Sequence, residues 1–401
     1  MPVFSSQVYL SGYTTLRLGG PAARFADIDA EDDLVAAVRD ADAAGDPLLV
    51  LGDGSNLVVA DDGFPGTVLR VTSSGVSVAA SDDGVHVTAQ AGQNWCDLVE
   101  WAIAEKLSGL ECLAGIPGLA GATPIQNVGA YGQEVSTVIE SVRVYDRTAA
   151  AIATLTGAEC GFGYRTSVFK LAQAGPRTRG TRTLGTPQRQ GRTSEGPGGT
   201  SELEASLSSE PEAGSAPTGR YVVLSVTFRL ERSPMSAPVR YAELASKLGI
   251  SPGEQAPLAD VRDAVLELRR GKGMVLDPDD PDTRSAGSFF TNPVLDTEQF
   301  ARLEQTAAAL SSAGIGVPHF AAGRGLVKVP AAWLIEHAGF AKGYPAGGAA
   351  RISSKHTLAL TSRSGASTSD LVALAREIVA GVRSAFGVQL INEPVLVGVT
   401  L

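Results

Sequence analysis

The chain is poor in cysteine, histidine and aromatic side chains, and each shortage excludes something. Of 401 residues, 3 are Cys and 4 are His, and aromatics make up 6%. Cys96, Cys112 and Cys160 are odd in number and lack C-x-x-C spacing. They fit neither a disulfide framework nor a zinc knuckle and read as reduced thiols in a reducing compartment. His86, His319, His337 and His356 are scattered without ligand spacing, so no metal site is expected. There is no apolar run long enough to span a bilayer, and residues 1–5 lack a basic stretch followed by an apolar one. Positive charge is also scarce: 33 Lys and Arg face 43 Asp and Glu, giving a net charge of -10. Such a chain repels phosphate backbones and anionic lipid, which argues against nucleic-acid or membrane partners. An anionic ligand must be held by local cations or backbone N–H groups. The expectation is a cytoplasmic enzyme, and a monomer.

Apolar residues are plentiful, at 44%, enough for a sizeable core and for two or three domains. Leu34, Val35 and Val38 set a helical stripe over residues 30–44, with Asp29 as its cap and Gly45 as its stop. Leu48 to Leu51 reads as a buried strand, strand character resumes at Leu57, Val58 and Val59, and Val85 to Ala89 alternates as a half-buried strand does. Asn94 and Asp97 form a capping pair ahead of Leu98, Trp101 and Ala102. Tyr221 to Leu230 is strand-like, with Val222, Leu224, Val226 and Phe228 on one face. Helices are expected near 259–270, 297–312, 331–338 and 369–386, with Pro330 in the first turn of the third and Gly339 at its end. Strands are expected at 326–329, 357–361 and 395–399.

Residues 171–220 differ sharply. They contain no aromatic residue, and a run of arginines (Arg177 to Arg192) precedes a run of glutamates (Glu195 to Glu212). So little apolar surface does not offset the entropy of ordering, and a disordered insertion that loops outward is expected.

Five segments carry polar chemistry. In residues 115–132, glycines at 115, 118, 121, 129 and 132 uncover backbone, and Gln126 and Asn127 each add a donor and an acceptor. This is a cofactor loop or a buried loop of tight turns. Residues 52–56, Gly-Asp-Gly-Ser-Asn, follow a strand without the third glycine and the helix of a G-x-G-x-x-G fingerprint. They make a pyrophosphate nest or a plain hairpin, with the Asp53 carboxylate expected to point away. Arg165, between Gly163 and Ser167, has room to reach a carboxylate or an enolate, or forms a surface ion pair. Ser288 precedes Phe289 and Phe290 and lacks a G-x-S-x-G elbow, leaving a proton donor or a structural serine. Glu393, after Val388, Leu390 and Ile391, is a partly buried acid of raised pKa or a turn residue.

Taken in order, these segments resemble the UDP-N-acetylenolpyruvoylglucosamine reductase (MurB) family. The resemblance rests on Thr15-Leu-Arg-Leu-Gly-Gly20, the 52–56 and 115–132 loops, Phe162-Gly-Tyr-Arg-Thr-Ser167, Ala286-Gly-Ser-Phe-Phe-Thr-Asn-Pro293 and Glu393-Pro394. It covers nearly all of the chain except 171–220. It implies an α+β chain: a two-subdomain FAD-binding fold of the vanillyl-alcohol-oxidase (PCMH) type plus a C-terminal α+β substrate-binding domain. The implied division is 1–70 with 388–401, then 71–273, then 274–387. FAD would contact Gly52, Gly54, Ser55, Asn56, Gly115, Ile116, Pro117, Gly118, Gly121, Ala122, Gln126, Asn127, Gly129, Ala130 and Tyr131. Ser288 would protonate the substrate carbanion, with Arg165 and Glu393 stabilising the carboxylate and enolate. Tyr164 would line the pocket, Tyr241 would cap the substrate, and Arg269, Lys272 and Asn292 would hold substrate phosphate or help bind NADPH. NADPH and the UDP-sugar would use the same pocket in turn. A different flavin oxidase or dehydrogenase of the same fold, and a binding protein without turnover, are the competing readings.

Overall fold

The computed structural model describes residues 2–81, 84–171, 218–310 and 316–401. The low-complexity expectation falls mostly on residues 172–217, outside the described residues.

The N-terminal part is a small sheet with strand order Val8–Tyr9, Pro21–Ile28, Phe64–Val71, Leu48–Leu51. The last three of these strands run parallel. Helix Glu31–Ala44 makes the crossover, burying Leu34, Val35, Val38 and Ala41 on one stripe. Gly45 ends it at φ 68°, a left-handed position that a glycine fills without strain. The cap differs from expectation: the N-cap is Ala30 without a side-chain bond, and Glu31, Asp32 and Asp33 occupy the first turn instead. Three carboxylates beside the positive helix end supply the electrostatics that the expected cap would have shared.

The second layer is a larger antiparallel sheet whose main path is Ala151–Thr156, Ile139–Asp146, Tyr221–Arg232, Gly84–Gln90, Val76–Ser81. Tyr221–Arg232 lies at its centre, and its inward residues Val222, Leu224, Val226, Phe228 and Leu230 are all buried. Helix Trp95–Ala104 packs beside it, and Asn94 caps that helix by accepting the Asp97 N–H at 3.1 Å. Residues 218–220 correct the expected low-complexity boundary. Thr218 Oγ1 accepts the Val50 N–H at 2.7 Å, and Arg220 pairs with Asp146 at 2.5 Å. Arg220 holds the Asp146 carboxyl below its usual range through that hydrogen bond. Polar residues here gain partners from two sheets, which composition does not register.

The C-terminal part packs helices Thr297–Leu310, Ala331–His337 and Thr368–Phe386 against two three-stranded sheets. Phe289, Phe290, Leu334, Leu371 and Ile378 fill its core. Ser367 and Asp370 close a capping box on the last helix. Pro330 sits at the N-cap of Ala331–His337 rather than inside its first turn. The chain then returns: Val395–Val397 pairs in parallel with Leu57–Val59, next to the 52–56 loop. Among the described residues, no helix is long and apolar enough to cross a membrane.

Candidate active site

The 52–56 loop leaves the C-terminal end of the parallel strand Leu48–Leu51, the end at which open parallel sheets present ligand sites. It is stitched to the second glycine loop. Asn56 Nδ2 donates to Gln126 Oε1 at 3.0 Å, and Ser55 Oγ donates to Pro117 O at 3.2 Å. No hydrogen bond among the described residues takes up the N–H of Gly54 or Ser55. A cleft of about 700 Å³ beside them is lined by Arg17, Gly52, Asp53, Arg70, Pro117 and Arg284. A smaller recess of about 190 Å³ adjoins it, lined by Asn94, Cys96, Gly115 and Gly118. Three arginines and open backbone donors suit a dinucleotide diphosphate, and the residues fit FAD in this respect.

Asp53 belongs to the same loop. It is among the residues lining both cavities, and burial pushes its carboxyl up against the opposing pull of Arg70.

Several of the expected cofactor residues serve the protein's own packing. A Cβ on Gly54 would lie 2.1 Å from Tyr13 O, at φ +58°. One on Gly121 would lie 2.6 Å from Ala91 Cβ, and one on Gly129 would lie 2.9 Å from Glu134 Cγ. The buried Asn127 amide is used internally: Nδ2 donates to Glu134 Oε2 and Gly163 O, and Oδ1 accepts the Ser136 N–H. Asn127 therefore fixes the backbone next to Tyr164 and Arg165. Gly54→Ala is expected to cost about 2–5 kcal/mol from left-handed strain and overpacking and to lower FAD occupancy. Unfolding curves and flavin content check this, and unchanged values would show that the loop tolerates a side chain.

The second cluster joins three distant segments. Arg165 sits at φ 53°. Its Nη1 donates to Asn127 O at 3.1 Å, its Nη2 to Gly129 O at 2.7 Å, and its Nε meets Glu393 Oε1 at 3.1 Å. Glu393 donates its backbone N–H to Phe289 O at 2.8 Å, and Phe289 N–H bonds Leu358 O at 2.7 Å. Ser288, one residue earlier, pairs with Ala359. The arginine, the glutamate and the serine strand thus meet in one place. Phe289 and Phe290 are buried in the C-terminal core, where they anchor this strand.

Lys170 belongs to the same cluster and was not expected: its Nζ donates to Arg165 O at 3.2 Å. Burial lowers the Lys170 pKa, and burial raises that of Glu393 against the pull of Arg165 and Lys170. A folded-state pKa above the ordinary 4.5 has a definite sign in linkage. The Glu393 contribution to stability is full below 4.5 and is lost as pH rises through the raised value. Glu393→Gln is therefore expected to flatten the fall in stability with rising pH over that window. Urea midpoints at several pH values check this, and parallel curves for the two proteins would contradict it.

Tyr164 lines this region, with Lys328 Nζ 4.6 Å and Arg165 Cζ 5.6 Å from its ring centre. Burial raises its pKa, while Arg165 and hydrogen bonding with Asn292 oppose the shift. Asn292 Oδ1 also accepts the Ala331 N–H at 2.9 Å and so starts a helix. Lys272 Nζ bonds Glu243 Oε2 at 2.8 Å and lies 5.6 Å from the Tyr131 ring centre. Tyr131 meets Tyr241 edge-on at 5.5 Å. Arg269 differs from Lys272 and Asn292 in its burial. It is buried, its Nη2 donates to Met274 O at 2.8 Å, and its Nε has no partner among the described residues. That Nε is 3.6 Å from where a Gly115 Cβ would stand, so Arg269 braces the glycine loop from behind. Ile116, Ala122 and Ala130 contribute backbone to the same loop.

Arg17, Arg70, Arg284, Lys170 and Glu243 escaped sequence reading. Arg17 lies within the Thr15–Gly20 segment and Lys170 soon after Arg165. Proximity to a recognised motif was the available signal for these two.

Residues 279–397 match the family model described as UDP-N-acetylenolpyruvoylglucosamine reductase, C-terminal domain, and residues 22–154 match an FAD binding domain. The chain is similar to the UDP-N-acetylenolpyruvoylglucosamine reductase of Thermobifida fusca, at 53% identity over 99% of each chain. It is 49% identical to that of Streptomyces coelicolor, over 98% of this chain and 90% of the relative. A crystal structure of UDP-N-acetylenolpyruvylglucosamine reductase (MurB) from Thermus caldophilus shares the fold. Its TM-score is 0.58 at 22% identity, covering 99% of this chain and 100% of that one. With a PCMH-type FAD-binding fold ahead of the reductase C-terminal domain, the chain belongs to the UDP-N-acetylenolpyruvoylglucosamine reductase family.

Proposed function

We propose that this protein catalyses the NADPH-dependent, FAD-mediated reduction of UDP-N-acetylglucosamine enolpyruvate to UDP-N-acetylmuramate, a step in peptidoglycan precursor synthesis, acting as a monomer in the cytoplasm. The observation that carries the reading is the meeting of Arg165, Glu393 and the Ser288 strand beside two stitched glycine loops. FAD, when bound, supplies the two-electron redox chemistry, and the 52–56 and 115–132 loops with Arg17, Arg70 and Arg284 hold it.

The remaining work falls to side chains. Reduction of an enolpyruvyl ether leaves negative charge on the carbon beside the carboxylate. Arg165, already fixed by two backbone carbonyls, stabilises that charge without reorganising, an effect worth about 3 kcal/mol. Glu393, paired with Arg165 at 3.1 Å, stands with it beside the developing enolate. Ser288 gives its hydroxyl proton to the carbon. Lys272, Asn292 and Tyr241 hold the nucleotide end, and Tyr164 closes the side of the pocket.

Incubating the FAD-loaded protein with NADPH and the enolpyruvate tests the reading. Mass spectrometry should find a product with two more hydrogens than the substrate. NADPH consumption without that product would overturn the substrate assignment.

A further inference from the structure

Lys272, expected at the ligand phosphate, is already engaged. Its Nζ bonds Glu243 Oε2 at 2.8 Å, and both side chains are partly exposed, at 31% and 42%. Glu243 lies two residues after Tyr241, in the first turn of helix Ala242–Leu248, and Tyr241 is the N-cap of that helix. The aromatic contacts join the same group: Lys272 over Tyr131, and Tyr131 edge-on to Tyr241. A Cβ on Gly132 would lie 3.7 Å from Tyr241 Cβ, so the 115–132 loop and the start of the helix are in contact.

The rest of the helix is fastened differently. Leu244 and Ala245 are fully buried, and Lys247 pairs with Glu267 at 2.5 Å. Among the described residues, the Glu243–Lys272 bond is the one ion pair at the Tyr241 end. A carboxylate 2.8 Å from the ammonium takes up one of its three donor directions. Left in place after a diphosphate arrived, it would face like charge at close range in a half-buried setting.

We propose that Glu243 is a resting counter-ion for Lys272 that the ligand's phosphate must displace. Displacement couples anion binding to loss of the Glu243–Lys272 tie. The inference rests on the functional reading above, which places a nucleotide diphosphate at Lys272. Glu243 then sets specificity by charge. It keeps weak or singly charged anions off Lys272.

The test uses the FAD-loaded protein and UDP as probe, with dissociation constants from calorimetry. Glu243→Gln keeps the shape and removes the charge, and should tighten UDP binding about threefold to tenfold. Lys272→Met should weaken it, and in the Lys272→Met background Glu243→Gln should have little effect, because the cation it competes for is gone. Glu243→Ala serves as a second variant should the glutamine protein load FAD poorly, with the same direction expected. UDP binding that depends on Lys272 and is unchanged or weakened by both Glu243 variants would overturn this inference alone. The same tightening with and without Lys272 would also overturn it, since that would be general charge repulsion. Failure of UDP to bind any variant would overturn the functional reading, and this inference with it.

Discussion

Replacing Ser288 by alanine is expected to lower kcat on the order of 10²–10⁴-fold, with FAD still bound and still reduced by NADPH. The serine lies at the end of strand Ser285–Ser288, paired with Ala359, and the next residue's N–H and carbonyl bond Leu358 and Glu393. All of these contacts are main-chain. Alanine keeps the Cβ and the strand, so the loss is confined to the hydroxyl and its proton. A cysteine variant keeps a donor and should retain more activity than alanine. Stopped-flow absorbance separates the steps: flavin reduction by NADPH should proceed at its normal rate, and reoxidation by the enolpyruvate should slow. Normal reoxidation in Ser288→Ala would assign the proton to another group or to water.

Arg165→Met is expected to be at least as damaging and to act on stability as well. The guanidinium holds Asn127 O, Gly129 O and Glu393 Oε1 together, joining the glycine loop to the C-terminal return. Methionine fills similar space but leaves Glu393 desolvated with Lys170 as its remaining nearby cation. Breaking one side of a buried pair costs about 3–5 kcal/mol. The left-handed φ of 53° is as strained for methionine as for arginine, so no relief offsets the loss. Activity should fall by 10² or more through loss of enolate stabilisation. Arg165→Lys keeps the charge but not the three-way geometry, and should recover part of the stability and little of kcat. Urea unfolding with parallel kinetics measures both. A loss below about 1 kcal/mol, the range of an exposed pair, would show that the cluster is not mechanically coupled.

Local rules captured what is set locally. The alternation in Tyr221–Arg232 and the stripe of Leu34, Val35 and Val38 depend on periodicity, and Gly45 on a single left-handed residue. The ordered motifs brought Arg165, Ser288 and Glu393 forward, although Ser288 lies 123 positions and Glu393 228 positions after Arg165. What stayed hidden depends on long-range partners. Arg269 reads as a ligand-phosphate residue, and its burial behind Gly115 appears only in the fold. Asn127 reads as a cofactor amide, and its bonds to Glu134, Gly163 and Ser136 depend on distant partners that the sequence does not show. Thr218 and Arg220 carry loop-like composition, yet Val50 and Asp146 give them partners from other elements. Lys170 has no motif of its own, and its meaning comes from the carbonyl of Arg165.

The most direct test is anaerobic mixing of the FAD-loaded protein with NADPH, then with UDP-N-acetylglucosamine enolpyruvate, while flavin absorbance is followed. The account predicts bleaching by NADPH and full recovery of the oxidised spectrum on adding the enolpyruvate. Bleaching without recovery would contradict it, leaving a flavin enzyme of this fold with a different oxidising substrate.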